Sequence, residues 1–391
     1  MKKVNIERIS PWLQMLWDQG GSDLLLTGGS AARLRVDGKL CPIEGGIEIT
    51  GEEVDGIVRS MLEPWQLATF EDHQDVDFSF SWEDKARLRA SAFTQKGQTA
   101  LALRMIPSRI PTFGQLGLPP VADRLAMLPR GLVLVTGPTG SGKSTTLASI
   151  VDRINDTRSL HVLTIEDPIE YVHEHKTSAV TQREIGLDSA SFDRALRSAL
   201  REDPDVLLLG EMRDVDSIQT ALTMAETGHL VFSTLHTNDA AQAVDRIVDV
   251  FPDWRQDQIR VQLAASLGAI VAQRLLPRIG GGRVAAFEVL IATHPVRNLI
   301  REGKSNQLMN VMATSQSDGM QTLESNLANL IGADLITYED ALDVSVHPKE
   351  LDRALSRIKQ TQGSIDPVGK KARNRSPLST AETPAVAGRP G

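Results

Sequence analysis

The chain has 391 residues, 41% hydrophobic and 24% charged, a composition suited to a globular protein with more than one core, and its length favours two domains. A net charge of −8 argues against a general nucleic-acid binder, and the single cysteine, Cys41, rules out both a disulfide framework and a cysteine-built zinc site, so a reducing compartment is expected. After the basic start, Glu7, Arg8 and Pro11 break the apolar run a secretion signal needs. The longest apolar stretch, 261–276, is too short for a bilayer and carries Gln262, Gln273 and Arg274, so a cytoplasmic protein without membrane insertion is expected.

Residues 11–19 carry Trp12, Leu13, Leu16 and Trp17 at helical spacing. Runs at 24–27, 32–36, 76–80, 87–93 and 100–105 read as strands, with Asp37-Gly38 as a hairpin turn, so residues 1–105 form a small α/β domain. Residues 106–120 contain Pro107, Pro111, Pro119 and Pro120 and read as a semi-rigid linker. From 121 to about 359, apolar strands at 132–136, 161–165, 206–209 and 230–234 alternate with helices, the pattern of a parallel sheet covered on both faces. Residues 360–391 are rich in Gly, Pro, Ser and Thr, lack aromatics and read as a disordered tail; its Lys370, Lys371, Arg373 and Arg375 fit a solvated segment better than a docking one.

Gly137-Pro138-Thr139-Gly140-Ser141-Gly142-Lys143-Ser144, followed by Thr145, is a phosphate-binding loop placed between a strand and a helix. Its glycines let backbone N–H groups curl around an anion, the helix start adds partial positive charge, Lys143 reaches the β- and γ-phosphates, and Ser144 ligates Mg²⁺. Hydrolysis also needs a carboxylate at a neighbouring strand end. Thr164-Ile165-Glu166-Asp167-Pro168 supplies one and Val206-Leu207-Leu208-Leu209-Gly210-Glu211 another, with Gly210 where many such enzymes place aspartate. Such carboxylates also serve as helix caps, but two in one domain favour function. His229 and His236 stand seven apart around the strand 230–234 and suit no zinc pattern; His236, at the strand's end, fits a γ-phosphate sensor.

Together these segments resemble the secretion ATPase superfamily, and most closely its type IV pilus retraction ATPases of the twitching-motility kind, over roughly residues 22–350. The similarity lies in the Walker A run 137–145, an Asp box at 164–171, a Walker B block at 200–214, a His box at 228–239 and Gly280-Gly281-Gly282-Arg283-Val284-Ala285-Ala286. It implies a PAS-like N-terminal domain joined to a RecA-like core with a largely parallel sheet, assembled as a homohexamer with ATP held between neighbouring subunits. By the same resemblance Glu166 is the general base, Glu211 lies near Mg²⁺, and His229 and His236 report the γ-phosphate. Arginines from Arg87, Arg89 and Arg104, and from a helix bearing Arg194, Arg197 and Arg201, would enter a neighbour's site. The spacing of the last three puts them on one helical face, although a solvated basic face is the plainer reading for some of them.

Two features bear on the branch. Extension-type relatives carry a four-cysteine zinc insertion that a single-cysteine chain cannot build. Retraction-type members carry a motif matched here by Arg297-Asn298-Leu299-Ile300-Arg301-Glu302, preceded by the divergent Pro295-Val296, with Pro295 suited to a helix's first turn. Leu25 stands where relatives usually have histidine. The implied partners are an inner-membrane pilus platform protein, placing the chain at the membrane's cytoplasmic face, and a paralogous retraction ATPase. An extension or secretion motor and a nucleotide-binding regulatory subunit are the alternatives, and a DNA translocase is disfavoured by charge.

Overall fold

A computed structural model describes residues 6–363 apart from positions 37, 44 and 213, and two sheets organise it. The first belongs to the N-terminal third: α1 (Ser10–Asp18), β1 (Asp23–Thr27), β2 (Arg33–Val36), β3 (Lys39–Pro42), α2 (Gly51–Met61), α3 (Pro64–His73), β4 (Asp75–Trp82), β5 (Ala86–Gln95) and β6 (Gln98–Pro107). Its strands run antiparallel in the order β3-β2-β1-β6-β5-β4. Alternation decides its faces: Val76, Phe78, Phe80 and Trp82 turn inward onto α1 and α2, while Asp77 and Ser81 turn outward. α2 begins in a capping box, with Thr50 and Glu53 bonding each other's backbone N–H groups. β3 is absent from the sequence reading because it is short and exposed.

The proline-rich segment is more structured than a linker. β6 runs into it as far as Pro107, and α4 (Phe113–Leu116) forms behind a Thr112–Gln115 capping box. Ile106 and Ile110 pack with Ala148 and Tyr171, and the Ser149 hydroxyl donates to the Pro111 carbonyl at 2.8 Å.

The second half comprises α5 (Val121–Ala126), β7 (Gly131–Thr136), α6 (Lys143–Thr157), β8 (His161–Glu166), β9 (Ala179–Glu184), α7 (Phe192–Ala199), β10 (Val206–Leu209), α8 (Val215–Glu226), β11 (Leu230–Leu235), α9 (Ala240–Asp249), α10 (Asp253–Ser266), β12 (Leu267–Pro277) and β13 (Arg283–Ile291). Its sheet has the order β13-β12-β7-β11-β10-β8-β9, parallel throughout except where β13 pairs antiparallel with β12. Every residue of β7, β10 and β11 is buried, because helices cover both faces of the sheet. This is the expected RecA-like arrangement.

The β12–β13 hairpin corrects the sequence reading, which continued helix through this region. The apolar run 261–276 lacks alternation, and α10 passes into β12 at Leu267 with no turn between them. The Gly280–Gly282 turn closes that hairpin, with all three glycines at positive φ. Beyond it come α11 (His294–Arg301), α12 (Leu308–Thr314), α13 (Leu323–Gly332), α14 (Tyr338–Val344) and α15 (Pro348–Gly363). α15 extends past residue 359, the expected end of the core, and residues 364–391 of the expected tail lie outside the described residues.

Candidate active site

Four consecutive strands in space, β7-β11-β10-β8, point their carboxyl ends one way, and each delivers one candidate group there. β7 runs into the glycine-rich loop, β11 into His236, β10 through Gly210 into Glu211, and β8 ends on Glu166. Residues far apart in sequence meet because parallel strands share a direction.

The loop is shaped for an anion. Gly137, Gly140 and Gly142 have φ of 146°, 80° and 89°, conformations that L side chains resist. A Cβ on Gly137 would also lie 2.3 Å from the Gln273 carbonyl oxygen and 2.6 Å from Ser141 Oγ. Pro138, Thr139 and Gly140 are exposed at the crest, with Ser144 at the rim. Lys143 is buried, and its Nζ donates to the Gly137 and Pro138 carbonyls at 2.8 and 3.1 Å. Burial pushes the Lys143 ammonium pKa down against the opposing pull of Glu211 and Glu170. The hydroxyls of Thr136, Ser141 and Thr237 are buried without a hydrogen-bond partner among the described residues. An ammonium, unmatched donors and a helix start fit a polyphosphate. The Ser144 hydroxyl and the Glu211 carboxylate are oxygen donors of the kind Mg²⁺ prefers.

Gln273 on β12 holds this loop, and the sequence reading gave it no role. Its Nε2 donates to the Ser141 carbonyl at 2.7 Å, while its Oε1 accepts from Thr146 Oγ1 at 2.8 Å. Its only signal was a polar residue inside an apolar run. Thr145 Oγ1 and Tyr171 Oη lie 3.1 Å apart, linking the loop to the Asp box.

Glu166 lines a small cleft with Ser144, Glu170, Tyr171, His173, Gly210 and Thr234. Its Oε1 accepts from Thr164 Oγ1 at 2.7 Å and from Gln182 Nε2 at 3.2 Å. Burial raises the Glu166 carboxyl pKa, and those two bonds only partly oppose it. Gln182, on the unforeseen strand β9, also donates to the Tyr171 carbonyl at 2.9 Å and accepts from the His173 amide at 2.7 Å. One amide side chain therefore sets the position of three cleft residues. Glu211 lies 3.5 Å from His236 Nε2, and the Thr234 hydroxyl donates to the Gly210 carbonyl at 2.6 Å. The next helices after Glu166 and Glu211 are capped by Ser191 (α7) and Asp214 (α8), so neither carboxylate serves as a helix cap.

Other expected residues are not brought to this cleft. His229 stands at the opposite end of β11, where its ring Nδ1 lies 3.0 Å from the Met224 carbonyl and its own carbonyl accepts from Gly131 N at 3.0 Å. Seven residue steps at about 3.3 Å each put roughly 23 Å between the two histidines, so His229 is not beside this chain's own phosphate loop. Arg201 lies beyond α7, which ends at Ala199, so Arg194, Arg197 and Arg201 do not share one helical face. Arg194 and Arg201 are exposed, and Arg197 pairs with Asp193 at 3.0 Å.

Arg89 and Arg104 are register partners on the outer face of the first sheet. They are exposed beside Asp77 at 3.9 Å and Asp23 at 2.9 Å. Leu25 lies on β1 of the same sheet, paired with Arg33 and Ala102. Arg87 differs from its neighbours: it is buried and bound within its own chain to Glu184 at 2.7 Å, so it is not a free arginine for another subunit.

The Arg297–Glu302 motif forms most of α11, with Pro295 in its first turn as expected. Val296 and Ile300 are buried, Leu299 packs partly against the core, and Arg301 and Glu302 are exposed. Arg297 Nη1 donates to the Ala264 carbonyl and, at 2.9 Å, to that of Ala265, at the last turn of α10. Arg301 donates to Asn298 Oδ1, and Glu302 pairs with Lys304 at 2.7 Å.

A phosphate loop at the head of a RecA-like sheet, faced by carboxylates from two nearby strands and a histidine from a third, defines a P-loop ATPase. Residues 32–340 match the family described as type II/IV secretion system protein. The chain is 48% identical over 336 residues to the type IV pilus retraction ATPase PilT of Pseudomonas aeruginosa, covering 85% of this chain and 96% of that protein. It is 41% identical over 331 residues to the type IV pilus ATPase PilU of the same organism, covering 84% and 86%. The solved structure of the pilus retraction motor PilT with bound ADP superposes with a TM-score of 0.81 at 48% identity, covering 88% of this chain and 98% of that one. The chain belongs to the type II/IV secretion system family, on its PilT-type retraction ATPase branch. Among the described residues, no helix is long and apolar enough to cross a membrane.

Proposed function

We infer that this chain hydrolyses ATP to ADP and phosphate with Mg²⁺ and uses the energy to retract type IV pili, as a cytoplasmic homohexamer working on an inner-membrane platform protein. The observation that carries the enzymatic part is the alignment of the phosphate loop, His236, Glu211 and Glu166 at the carboxyl ends of four adjacent strands. The similarity to PilT carries the retraction part.

Backbone N–H groups of residues 139–145 hold the phosphates, and Lys143 turns from its loop carbonyls to the β- and γ-phosphates. Ser144 and Glu211 would hold Mg²⁺, which would supply charge neutralisation at the phosphates. Glu166, its Oε1 engaged by Thr164 and Gln182, offers Oε2 to the attacking water, and its burial makes it a stronger base than an exposed carboxylate. His236 beside Glu211 senses whether the γ-phosphate is present. Arg89 and Arg104 reach a neighbouring subunit's nucleotide, so each site is completed by the ring. Neither nucleic acid nor membrane insertion has a part in this reading.

The purified protein should hydrolyse ATP, lose turnover when Mg²⁺ is chelated, and regain it on Mg²⁺ addition. Deleting the gene should leave cells hyperpiliated and non-twitching. Bald cells would instead indicate an extension motor. A protein that binds ATP yet is inert in every oligomeric state would be a regulatory partner of a paralogous motor.

A further inference from the structure

The charged pair Arg87–Glu184 joins the two sheets and is almost fully removed from water, at 9% and 3% exposure. Arg87 Nη2 lies 2.7 Å from Glu184 Oε2 and 2.6 Å from Ser79 Oγ, and Ser79 Oγ in turn donates to Glu184 Oε1 at 2.8 Å. Both partners also grip one residue of the Asp-box loop: the Ile169 amide donates to Glu184 Oε2 at 3.1 Å, and the Ile169 carbonyl accepts from Arg87 Nε at 2.7 Å. Glu184 is the register partner of Glu166 on the neighbouring strand, and Ile169 lies three residues beyond Glu166 in the chain. A buried ion pair repays its desolvation only when its geometry is complete. Completion here requires β5 of the first sheet to sit against β9 of the second.

We propose that Arg87 and Glu184 are positioning residues that make the seat of Glu166 depend on the docking of the first sheet in the same chain. With the sheet docked, Ile169 is held at both its N–H and its C=O, and the loop leading from Glu166 is fixed. When the sheet moves away, Arg87 and Ser79 leave with it, Glu184 and the Ile169 carbonyl turn to water, and the loop loosens. Hydrolysis is then gated by the arrangement of the chain's own two halves, separately from any arginine supplied by a neighbour. This inference rests on Glu166 being the base that activates water.

The test uses the full chain with ATP and Mg²⁺, measuring thermal unfolding, affinity for a fluorescent ATP analogue, kcat and KM. Arg87→Gln and Glu184→Gln each strand one buried charge and should lower both stability and kcat. The double variant Arg87→Gln/Glu184→Gln strands none, so its melting temperature should recover while kcat stays down by about tenfold or more and nucleotide affinity stays within about threefold of wild type. Recovery of kcat together with stability would reduce the pair to structural glue and overturn the proposal. Arg87→Lys keeps the charge but lacks the planar fork that serves Glu184, Ser79 and Ile169 together, so it should fold and turn over slowly. Wild-type kcat in that variant would also overturn the proposal. Glu166→Gln is measured alongside: if it hydrolyses ATP normally, the assignment of Glu166 fails, whereas an inert Glu166→Gln with a fully active double variant fails the latch alone.

Discussion

His236 Nε2 stands 3.5 Å from Glu211 Oε1, joining the residue after β11 to the residue two beyond the neighbouring strand β10. This contact connects the residue proposed to sense the γ-phosphate with the carboxylate proposed to serve the metal. Glu211→Gln should abolish turnover while nucleotide is still bound, as read by fluorescent-nucleotide titration beside phosphate release. His236→Ala should lower kcat by about tenfold or more and change stability by no more than about 0.5 kcal/mol, since the residue is exposed and lies outside the core.

Glu166 must be ionised to accept a proton, and burial raises its carboxyl pKa, so the acid limb of kcat should lie above the range of an exposed glutamate. The bond from Gln182 opposes that rise. Removing it in Gln182→Met should move the acid limb to still higher pH, as measured from the pH dependence of kcat. A limb moved to lower pH would show that Glu166 is not the titrating group.

Glu288, on β13, is buried where it accepts from Ala240 N at 2.8 Å. Burial foremost, with Asp239 and Glu324 adding to it, raises its carboxyl pKa from 4.5 to about 7. Between those values the folded chain holds a proton that the unfolded chain has released, so stability falls as pH rises through this window, by at most about 3 kcal/mol. Glu288→Gln stays neutral at every pH. It should melt higher than wild type at about pH 8, with little gain at about pH 5, as followed by thermal unfolding across pH.

The retraction motif divides into two roles. Arg297 satisfies carbonyls at the last turn of α10, so Arg297→Ala should cost about 1–3 kcal/mol in denaturant unfolding. Exposed Arg301 donates to Asn298 on its own helix. Arg301→Ala should therefore leave stability and basal ATP hydrolysis near wild type while reducing retraction in a twitching assay.

The phosphate loop could be read without a structure because its requirement is local: positive φ at three glycines and a lysine and hydroxyl at the start of a helix. The four central strands were equally legible, since burial on both faces leaves unbroken apolar runs such as Leu132–Thr136. The same logic failed at β12, where an unbroken apolar run follows a helix without a turn and only its pairing with β7 and β13 makes it a strand. Glu166, Glu211 and His236 were visible as strand ends, but their approach to one edge required the spatial order β7-β11-β10-β8.

Roles that depend on a distant partner were out of reach. Gln273 steadies a loop 132 positions away, and Arg87 bonds a glutamate 97 positions away. Side-chain type told what these groups can bond, and only the packing of the two sheets told with what. Taken from sequence, Arg87 was one arginine among six that a neighbouring subunit could use. Desolvation decides otherwise, because a guanidinium buried beside a carboxylate is held by its own chain and has no comparable gain elsewhere.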